Sequence, residues 1–243
     1  MTASFEQYPD LPLIPQRRSF WGALREQDQA ALASLELSGH QQQWKRGDVL
    51  VSFNRRSQEQ SPIIIIRSGV AVARTVHGAA TLRLYDSGDV VGYDEGLCSI
   101  GAALPQTVAA ASMVWGLVLS RERFATVLGR STIGQLLHEV LADRLLEADI
   151  LQYLRFRGIS SSRFSVAVGL VLLATRHGRA RSRGAVELPL THADLASLFA
   201  ISLKTIGRIL KELGEADLII SEHGKLTVLD ADGLCRFALE KEA

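Results

Sequence analysis

The chain has 243 residues, of which 47% are hydrophobic, and its formal net charge at pH 7 is only +1. This composition predicts one or two domains with well-filled cores, and the small net charge by itself argues weakly against nucleic-acid binding. No stretch approaches the roughly 18 apolar residues of a membrane span, and the N-terminus lacks the apolar core of a signal peptide. The two cysteines, Cys98 and Cys235, lie far apart, so we expect no structural disulfide and a cytoplasmic protein.

The N-terminal half of the chain predicts an arm and a β-rich domain. Residues 1–18 are rich in proline and predict an extended arm. From residue 44 to residue 119, short β-prone runs alternate with glycines, a pattern typical of a β-barrel or a β-roll. We therefore expect a β-rich domain over residues 19–130.

A long amphipathic helix is predicted over residues 131–158, because apolar side chains recur there at spacings of three and four residues. Such a length exceeds that of most globular helices and is expected for the seam of a dimer. The same apolar face could also pack on the chain's own β-rich domain, and both interpretations stay open because the face is wide. The predicted seam residues are Leu137, Leu141, Arg144, Ala148 and Leu151.

The C-terminal domain is expected at residues 159–243, after a hinge at 158–162 and with a buried helix at 164–174. Residues 188–211 then predict two helices joined by a three-residue turn. Thr191 and Asp194 have the spacing of a capping box, and Ser202 is a second N-cap.

The second of these two helices leaves polar and basic side chains facing outward, a shape that fits the major groove of DNA. Arg208 is the first choice for a base contact, because an arginine can bridge the two acceptors of guanine. Lys204 has no hydrogen-bond acceptor, so it cannot accept a hydrogen bond from cytosine. An ordinary pair of packed helices is the structural alternative. The predicted DNA-contacting residues are Thr191, Ser202, Leu203, Lys204, Thr205, Arg208 and Lys211.

Two further features favour nucleic-acid binding. Short β-prone runs on either side of His223 and Gly224 predict a hairpin, and a helix-turn-helix followed by a hairpin is a winged helix. Between Arg176 and Lys211 seven basic and two acidic residues give a local balance of +5, which suits contact with phosphates. The arginine-rich loop within this stretch could contact DNA or remain a solvated loop.

Together these segments resemble the Crp/Fnr (cyclic-AMP receptor protein) family of bacterial transcription regulators over most of the chain. The resemblance is specific in the helix-turn-helix and looser, but in the right order, in the β-rich part. The segments that carry it are KRGDVLV at 45–51, IIIIRSGVAVAR at 63–74, DSGDVVGYDEG at 86–96, TIGRILK at 205–211 and HGKLTV at 223–228.

The resemblance implies an α+β fold: an N-terminal β-roll of the cyclic-nucleotide-binding type, a long dimerisation helix and a C-terminal winged helix-turn-helix. It also implies a homodimer that binds an inverted repeat of double-stranded DNA, and a transcription regulator rather than an enzyme. In this family the surface that corresponds to the arginine-rich loop faces RNA polymerase.

The family's nucleotide site has a glycine–glutamate pair and a later arginine–hydroxyl pair, and this chain departs from it. Gly92 matches the glycine, but Tyr93 replaces the glutamate and Gln106 replaces the arginine. A neutral amide cannot make the charged, bidentate contact that a guanidinium makes with phosphate, so the departures argue against cyclic AMP. The degenerate effector pocket comprises Gly92, Tyr93, Asp94, Gln106, Thr107, Arg144 and Ala148.

No cofactor or effector is identified from the sequence. Two cysteines are too few for an iron–sulfur cluster, which needs about four. His138 could bind haem or simply be an exposed helix histidine. A small-molecule-sensing module that acts through protein partners is the alternative function. No phosphate loop, zinc spacing or Ser/His/Asp cluster supports an enzyme.

Overall fold

The structure, a computed structural model, describes residues 12, 20–53, 61–75, 81–93, 105–129 and 131–240. Apart from Pro12, the arm expected at 1–18 lies outside the described residues. The helices are α1 (Phe20–Gln27), α2 (Gln29–Ser38), α3 (Arg121–Leu128), α4 (Ser131–Ser160), α5 (Ser162–His177), α6 (His192–Phe199), α7 (Leu203–Glu215) and α8 (Ala231–Leu239). The strands are β1 (His40–Trp44), β2 (Val49–Phe53), β3 (Ile63–Ser68), β4 (Ala71–Thr75), β5 (Thr81–Tyr85), β6 (Val90–Val91), β7 (Gln106–Ala110), β8 (Val114–Leu119), β9 (Arg179–Ala180), β10 (Val186–Leu188), β11 (Ile219–Glu222) and β12 (Lys225–Val228).

The chain divides into two compact units between Leu145 and Leu146, which is inside α4. Among the described helices, none combines the length and apolarity that crossing a bilayer requires.

The first unit is a β-roll of two four-stranded antiparallel sheets, with strand orders β1-β8-β3-β6 and β2-β7-β4-β5. Its central strand β3 is buried on both faces, because successive side chains of a strand point in opposite directions. Ile64 and Ile66 pack between the two sheets, while Ile63 and Ile65 pack against the helices that cover the roll. The run of four isoleucines is therefore explained by a strand with helices on one side and a second sheet on the other.

Helices α1 and α2 hold the outer side of the roll, and neither was predicted from the sequence. Phe20 and Leu24 are buried in the cluster that includes Ile63 and Ile65. The indole N–H of Trp21 donates a hydrogen bond to the carbonyl of Ile66 at 2.8 Å, which ties α1 to β3.

Helix α4 runs through the predicted hinge and ends only at Ser160. The Ser162 hydroxyl donates to the carbonyl of Gly158 at 3.2 Å, and this bond holds the last turn in helical form. Ser161 alone separates α4 from α5, and its side chain caps α5 by accepting from the N–H of Phe164. The break between the two helices is thus a single capping residue rather than the five-residue hinge expected at 158–162.

The second unit packs around α5, most of which is buried. Helices α6 and α8 approach α5 closely, and at Gly169 an added Cβ would lie 2.2 Å from the ring of Phe199. A four-stranded antiparallel sheet of order β11-β12-β10-β9 completes the unit. In α8, Cys235 is fully buried, and burial, assisted by nearby Asp232, raises the pKa of its thiol to about 11.

A buried ionic cluster joins the second half of α4 to the end of α5. The two carboxylate oxygens of Glu147 contact Arg176 Nε at 2.8 Å and His177 Nε2 at 2.6 Å, and all three residues are buried. Burial raises the pKa of the Glu147 carboxyl, but His177 and Arg176 lower it by more, so the pKa falls from 4.5 to about 2. Glu147 is therefore held as a carboxylate inside the unit.

Candidate nucleic-acid interface

The first helix of the predicted motif, α6, begins with the capping box that the sequence indicated. The Thr191 side chain accepts from the backbone N–H of Asp194, and the Asp194 carboxylate accepts from the backbone N–H of Thr191 at 3.0 Å. The Thr191 hydroxyl also donates to that carboxylate at 2.7 Å. This proton is already used within the cap, so a contact of the Thr191 hydroxyl with a phosphate would require it to leave the Asp194 carboxylate.

The turn between α6 and α7 has three residues, Ala200 to Ser202. Ala200 has φ +55° and ψ +39°, the left-handed conformation that closes a helix C-terminus. Ser202 then caps α7 by accepting from the N–H of Thr205, and the two hydroxyl oxygens are 2.8 Å apart. Both hydroxyls lie at the N-terminus of α7, where the helix dipole favours an anion such as phosphate.

Helix α7 is strongly amphipathic. Its inner side packs in the core of the second unit, and several of the predicted DNA-contacting residues lie on its outer side. Leu203 is 56% exposed, and Lys204, Arg208 and Lys211 are also exposed. The buried residues are Ile206, Ile209, Leu210 and Leu213.

The basic patch is smaller than the sequence predicted. Arg176 is buried beside Glu147 and does not belong to the surface. Arg181 makes two hydrogen bonds of 2.8 Å to the carboxylate of Glu187. The seven basic residues of the predicted patch therefore do not form one exposed positive surface. Some of them are neutralised by tertiary contacts, which the order of residues in the sequence does not reveal.

On α7 itself, two of the three cations have carboxylate neighbours one turn away. Arg208 pairs with Glu212 at 2.6 Å and Lys211 pairs with Glu215 at 3.7 Å. Exposed pairs of this kind contribute little, typically about 0.2–1 kcal/mol, so a phosphate or a base can replace the carboxylate. Within the described part of the chain, Lys204 makes no ion pair.

The predicted wing is present as the hairpin of β11 and β12, which turns at Gly224 with φ +73°. His192 Nε2 lies 2.8 Å from the Ser221 hydroxyl, so the start of α6 is hydrogen-bonded to the wing. The sequence did not indicate this contact, because 29 residues separate the two side chains.

Gly92, Tyr93 and Gln106 of the predicted effector pocket belong to the first unit. Gly92 has φ +92°, and an added Cβ there would lie 2.8 Å from the carbonyl of Pro62 and 3.6 Å from the ring of Phe53. Tyr93 stacks edge-on against Phe124, with ring centroids 5.4 Å apart. Gln106 is buried in β7 as the register partner of Phe53.

Thr107, Ala148 and Asp94 also belong to the predicted pocket. The Thr107 hydroxyl lies 3.2 Å from that of Ser52. Ala148 is exposed and belongs to the second unit, and Asp94 lies outside the described residues.

Arg144, assigned both to the pocket and to the dimer seam, has a different role in the structure. Its Nε donates to the carboxylate of buried Asp89 at 3.0 Å, and its guanidinium lies 4.3 Å from the centre of the Tyr85 ring. The cation of the predicted pocket is thus already paired with an anion of its own chain.

The exposed stripe of α4 differs from the predicted dimer seam. Leu137 and Leu151 are buried within their own units, so they cannot form the centre of a contact with a second chain. Among the other predicted seam residues, Ala148 is exposed and Leu141 is half-buried. The two most exposed apolar side chains of α4, Phe156 and Ile159, were not among the predicted seam residues. The exposed stripe consists of Leu145, Ala148, Phe156 and Ile159, and half-buried Leu141 lies on the same side of α4.

No metal site emerges from the described residues, which contain no group of three or more His, Cys, Asp or Glu side chains placed to hold an ion. His138 is exposed on α4, and its Nδ1 lies 2.7 Å from the carbonyl of Gly134. This is the ordinary environment of a surface helix histidine.

Comparison with known proteins agrees with this geometry. Residues 166–237 match the family model of the Crp-like helix-turn-helix domain. A CRP/FNR-family transcriptional regulator from Thermus thermophilus has 22% identity and a TM-score of 0.56, with 84% of this chain and 100% of that chain covered. No curated protein sequence is significantly similar to this chain.

Two further solved structures share the fold. A variant of CooA from Carboxydothermus hydrogenoformans has 16% identity and a TM-score of 0.62, with 93% of this chain and 98% of that chain covered. FixK2 from Bradyrhizobium japonicum has 15% identity and a TM-score of 0.62, with 82% and 96% covered. The predicted resemblance and the α+β fold with its β-roll and winged helix-turn-helix are confirmed. Residues 166–237 form a Crp-like helix-turn-helix domain, and the chain that carries it has the fold of the CRP/FNR transcriptional regulators.

Proposed function

We propose that this protein is a transcription regulator that binds a specific DNA sequence through α7. The observation that carries the proposal is the outer side of α7, which presents Leu203, Lys204 and Arg208 to solvent within a Crp-like helix-turn-helix. Arg208 would bridge the two acceptors of a guanine, and Lys204 would donate to bases or phosphates. Ser202 and Thr205 would hold a phosphate at the helix N-terminus.

The proposed complex is a homodimer on an inverted repeat. Two copies related by a twofold axis would place two α7 helices in successive major grooves, about 34 Å apart. The exposed stripe of α4 supports this arrangement, because it offers a long apolar surface that a second copy of the same helix can cover.

Arg208→Ala tests the reading role of α7. We expect this variant to lose about 1–3 kcal/mol of specific affinity and to relax the preference at one base position, because a bidentate base contact disappears. Selection from randomised duplexes and titration against salt measure both effects. The wild type should lose affinity steeply as salt rises, because phosphate contacts release counterions.

Arg236→Ala is the matched control for this test. Its side chain is 60% exposed, like that of Arg208, and it also pairs with one carboxylate, but it lies on α8. The control should select the wild-type motif with unchanged affinity. If Arg208→Ala selected the wild-type motif, the proposed base contact would be wrong. If the wild type bound scrambled DNA equally well, the proposed function would be wrong.

We further propose that cyclic AMP does not control this protein. Gln106 brings no positive charge to a phosphate, Tyr93 brings no carboxylate to a ribose hydroxyl, and Arg144 is engaged by Asp89. Loss of a charged hydrogen bond typically costs about 1.5–3 kcal/mol, and each 1.4 kcal/mol is a tenfold loss of affinity.

Calorimetry with cyclic AMP tests this second proposal. Two lost contacts should move a micromolar site to about millimolar or weaker, and DNA binding should not require the nucleotide. Micromolar affinity that Gln106→Ala abolished would restore a cyclic-AMP site and overturn the proposal.

A further inference from the structure

Gly207 lies in the middle of α7, where neither its backbone nor its packing requires a glycine. It is not among the residues with positive φ, and an added Cβ would meet no neighbouring side chain or other element within 4 Å. A glycine inside a helix is less stable than an alanine, because it loses more backbone freedom on folding. The interior of the protein therefore gives no reason for the glycine at position 207.

Other glycines of the second unit have a reason within the fold. At Gly169 an added Cβ would lie 2.2 Å from Phe199, and at Gly178 it would lie 2.0 Å from Val186. At Gly233 it would lie 2.4 Å from Leu218. Each of these glycines permits a close approach between two parts of the chain, whereas the space above Gly207 is open.

The surroundings of Gly207 indicate what could approach it. Leu203 lies one turn earlier on the same side of α7 and exposes a large apolar side chain. Lys204, Arg208 and Lys211 border this pair, and all three are exposed. The three cations lie to one side of this pair, and an exposed apolar group beside cations complements a DNA groove, in which base edges lie next to phosphates.

We propose that DNA closely approaches the α7 backbone at Gly207, and that Leu203 there packs against the 5-methyl group of a thymine in the half-site. This inference rests on the proposed DNA-binding function. The major groove is about 12 Å wide and a helix with its side chains is about 10–12 Å in diameter, so a missing side chain lets the helix sit deeper. The thymine methyl is the apolar group on the major-groove edge of the bases, and it matches Leu203.

Gly207→Ala tests the close approach, and Gly214→Ala is its matched control. Gly214 belongs to the same helix, and an added Cβ there would make an ordinary contact, 3.9 Å from the Ile219 carbonyl. Gly207→Ala should raise the unfolding midpoint and yet weaken binding to the selected site at least about tenfold, because stability and recognition oppose each other there. Gly214→Ala should keep the wild-type affinity.

If Gly207→Ala bound the selected DNA site with wild-type affinity, the proposed close approach of DNA at Gly207 would be wrong. If the wild-type protein selected no DNA site at all, both the proposed function and this inference would be wrong. That outcome is distinguishable from a failure of the inference alone, because it is seen before any substitution is made.

Deoxyuridine in place of each thymine of the selected site tests the apolar contact, because it removes only the methyl group. One such replacement should weaken the binding of the wild-type protein about fourfold, as expected for the loss of one buried methyl group. The same replacement should have little effect on the DNA affinity of the Leu203→Ala protein. A double-mutant cycle then assigns the methyl to Leu203. The contact would be overturned if no replacement weakened binding, or if Leu203→Ala lost as much as the wild type.

Discussion

Leu145→Glu is expected to convert the proposed homodimer into a monomer and to remove high-affinity binding to the proposed inverted repeat. Leu145 is 69% exposed in the single chain, so the substitution leaves the fold of each chain intact. In a twofold dimer it would place two unpaired carboxylates in one apolar seam, at a cost on the order of 3–5 kcal/mol or more. Sedimentation velocity and titration with half-site and full-site DNA measure both consequences.

Leu37→Glu is the matched control for the dimer test. Leu37 is 86% exposed and belongs to α2, not to the stripe on α4. This variant should remain dimeric and bind the full site normally. If Leu145→Glu still sedimented as a dimer, the seam would have to lie on another surface.

The second large effect is expected at Glu147, which holds Arg176 and His177 inside the second unit. Glu147→Ala should lower the free energy of unfolding at pH 7 by about 3–5 kcal/mol, because it removes the carboxylate that pairs with the buried Arg176 guanidinium. Glu215→Gln is the control, since Glu215 is exposed and pairs with Lys211 only at 3.7 Å. That control should change the free energy of unfolding by less than about 1 kcal/mol.

The pH dependence of this effect has a definite sign. The pKa of Glu147 is lowered from 4.5 to about 2 in the folded protein, so its stabilising contribution is fully present above pH 4.5. The contribution is lost as the pH falls towards 2, and its full size is roughly 3 kcal/mol at about 1.4 kcal/mol per pKa unit. Denaturant titrations of wild type and Glu147→Gln should therefore converge between pH 5 and pH 2. Parallel curves over that range would show that folding does not lower the pKa of Glu147.

The helix-turn-helix could be predicted from the sequence because short-range contacts determine its boundaries. Thr191 and Asp194 are three residues apart and cap one helix, and Ser202 caps the next through Thr205. Such signals act within a single turn and need no knowledge of the rest of the fold. The β-roll was likewise predictable as a class, because turn glycines and β-prone runs alternate along the chain.

The electrostatic arrangement could not be predicted, because it depends on residues distant in sequence. Arg144 and Asp89 are 55 positions apart, and Arg176 and Glu147 are 29 positions apart. A helix pattern also shows which residues are apolar without showing whether the same chain or a second chain buries them. For this reason Leu137 and Leu151 were assigned to the seam, while the exposed Phe156 and Ile159 were overlooked.

Cys235 gives the second unit a natural reporter of its own opening. Thiol reagents attack the thiolate, and with a pKa of about 11 only on the order of one molecule in ten thousand carries it at pH 7. The side chain is also shielded from any reagent while α8 stays packed. Its alkylation rate, followed by mass spectrometry of the peptide that contains it, thus measures how often the unit opens, in the free protein or on DNA, without an engineered label.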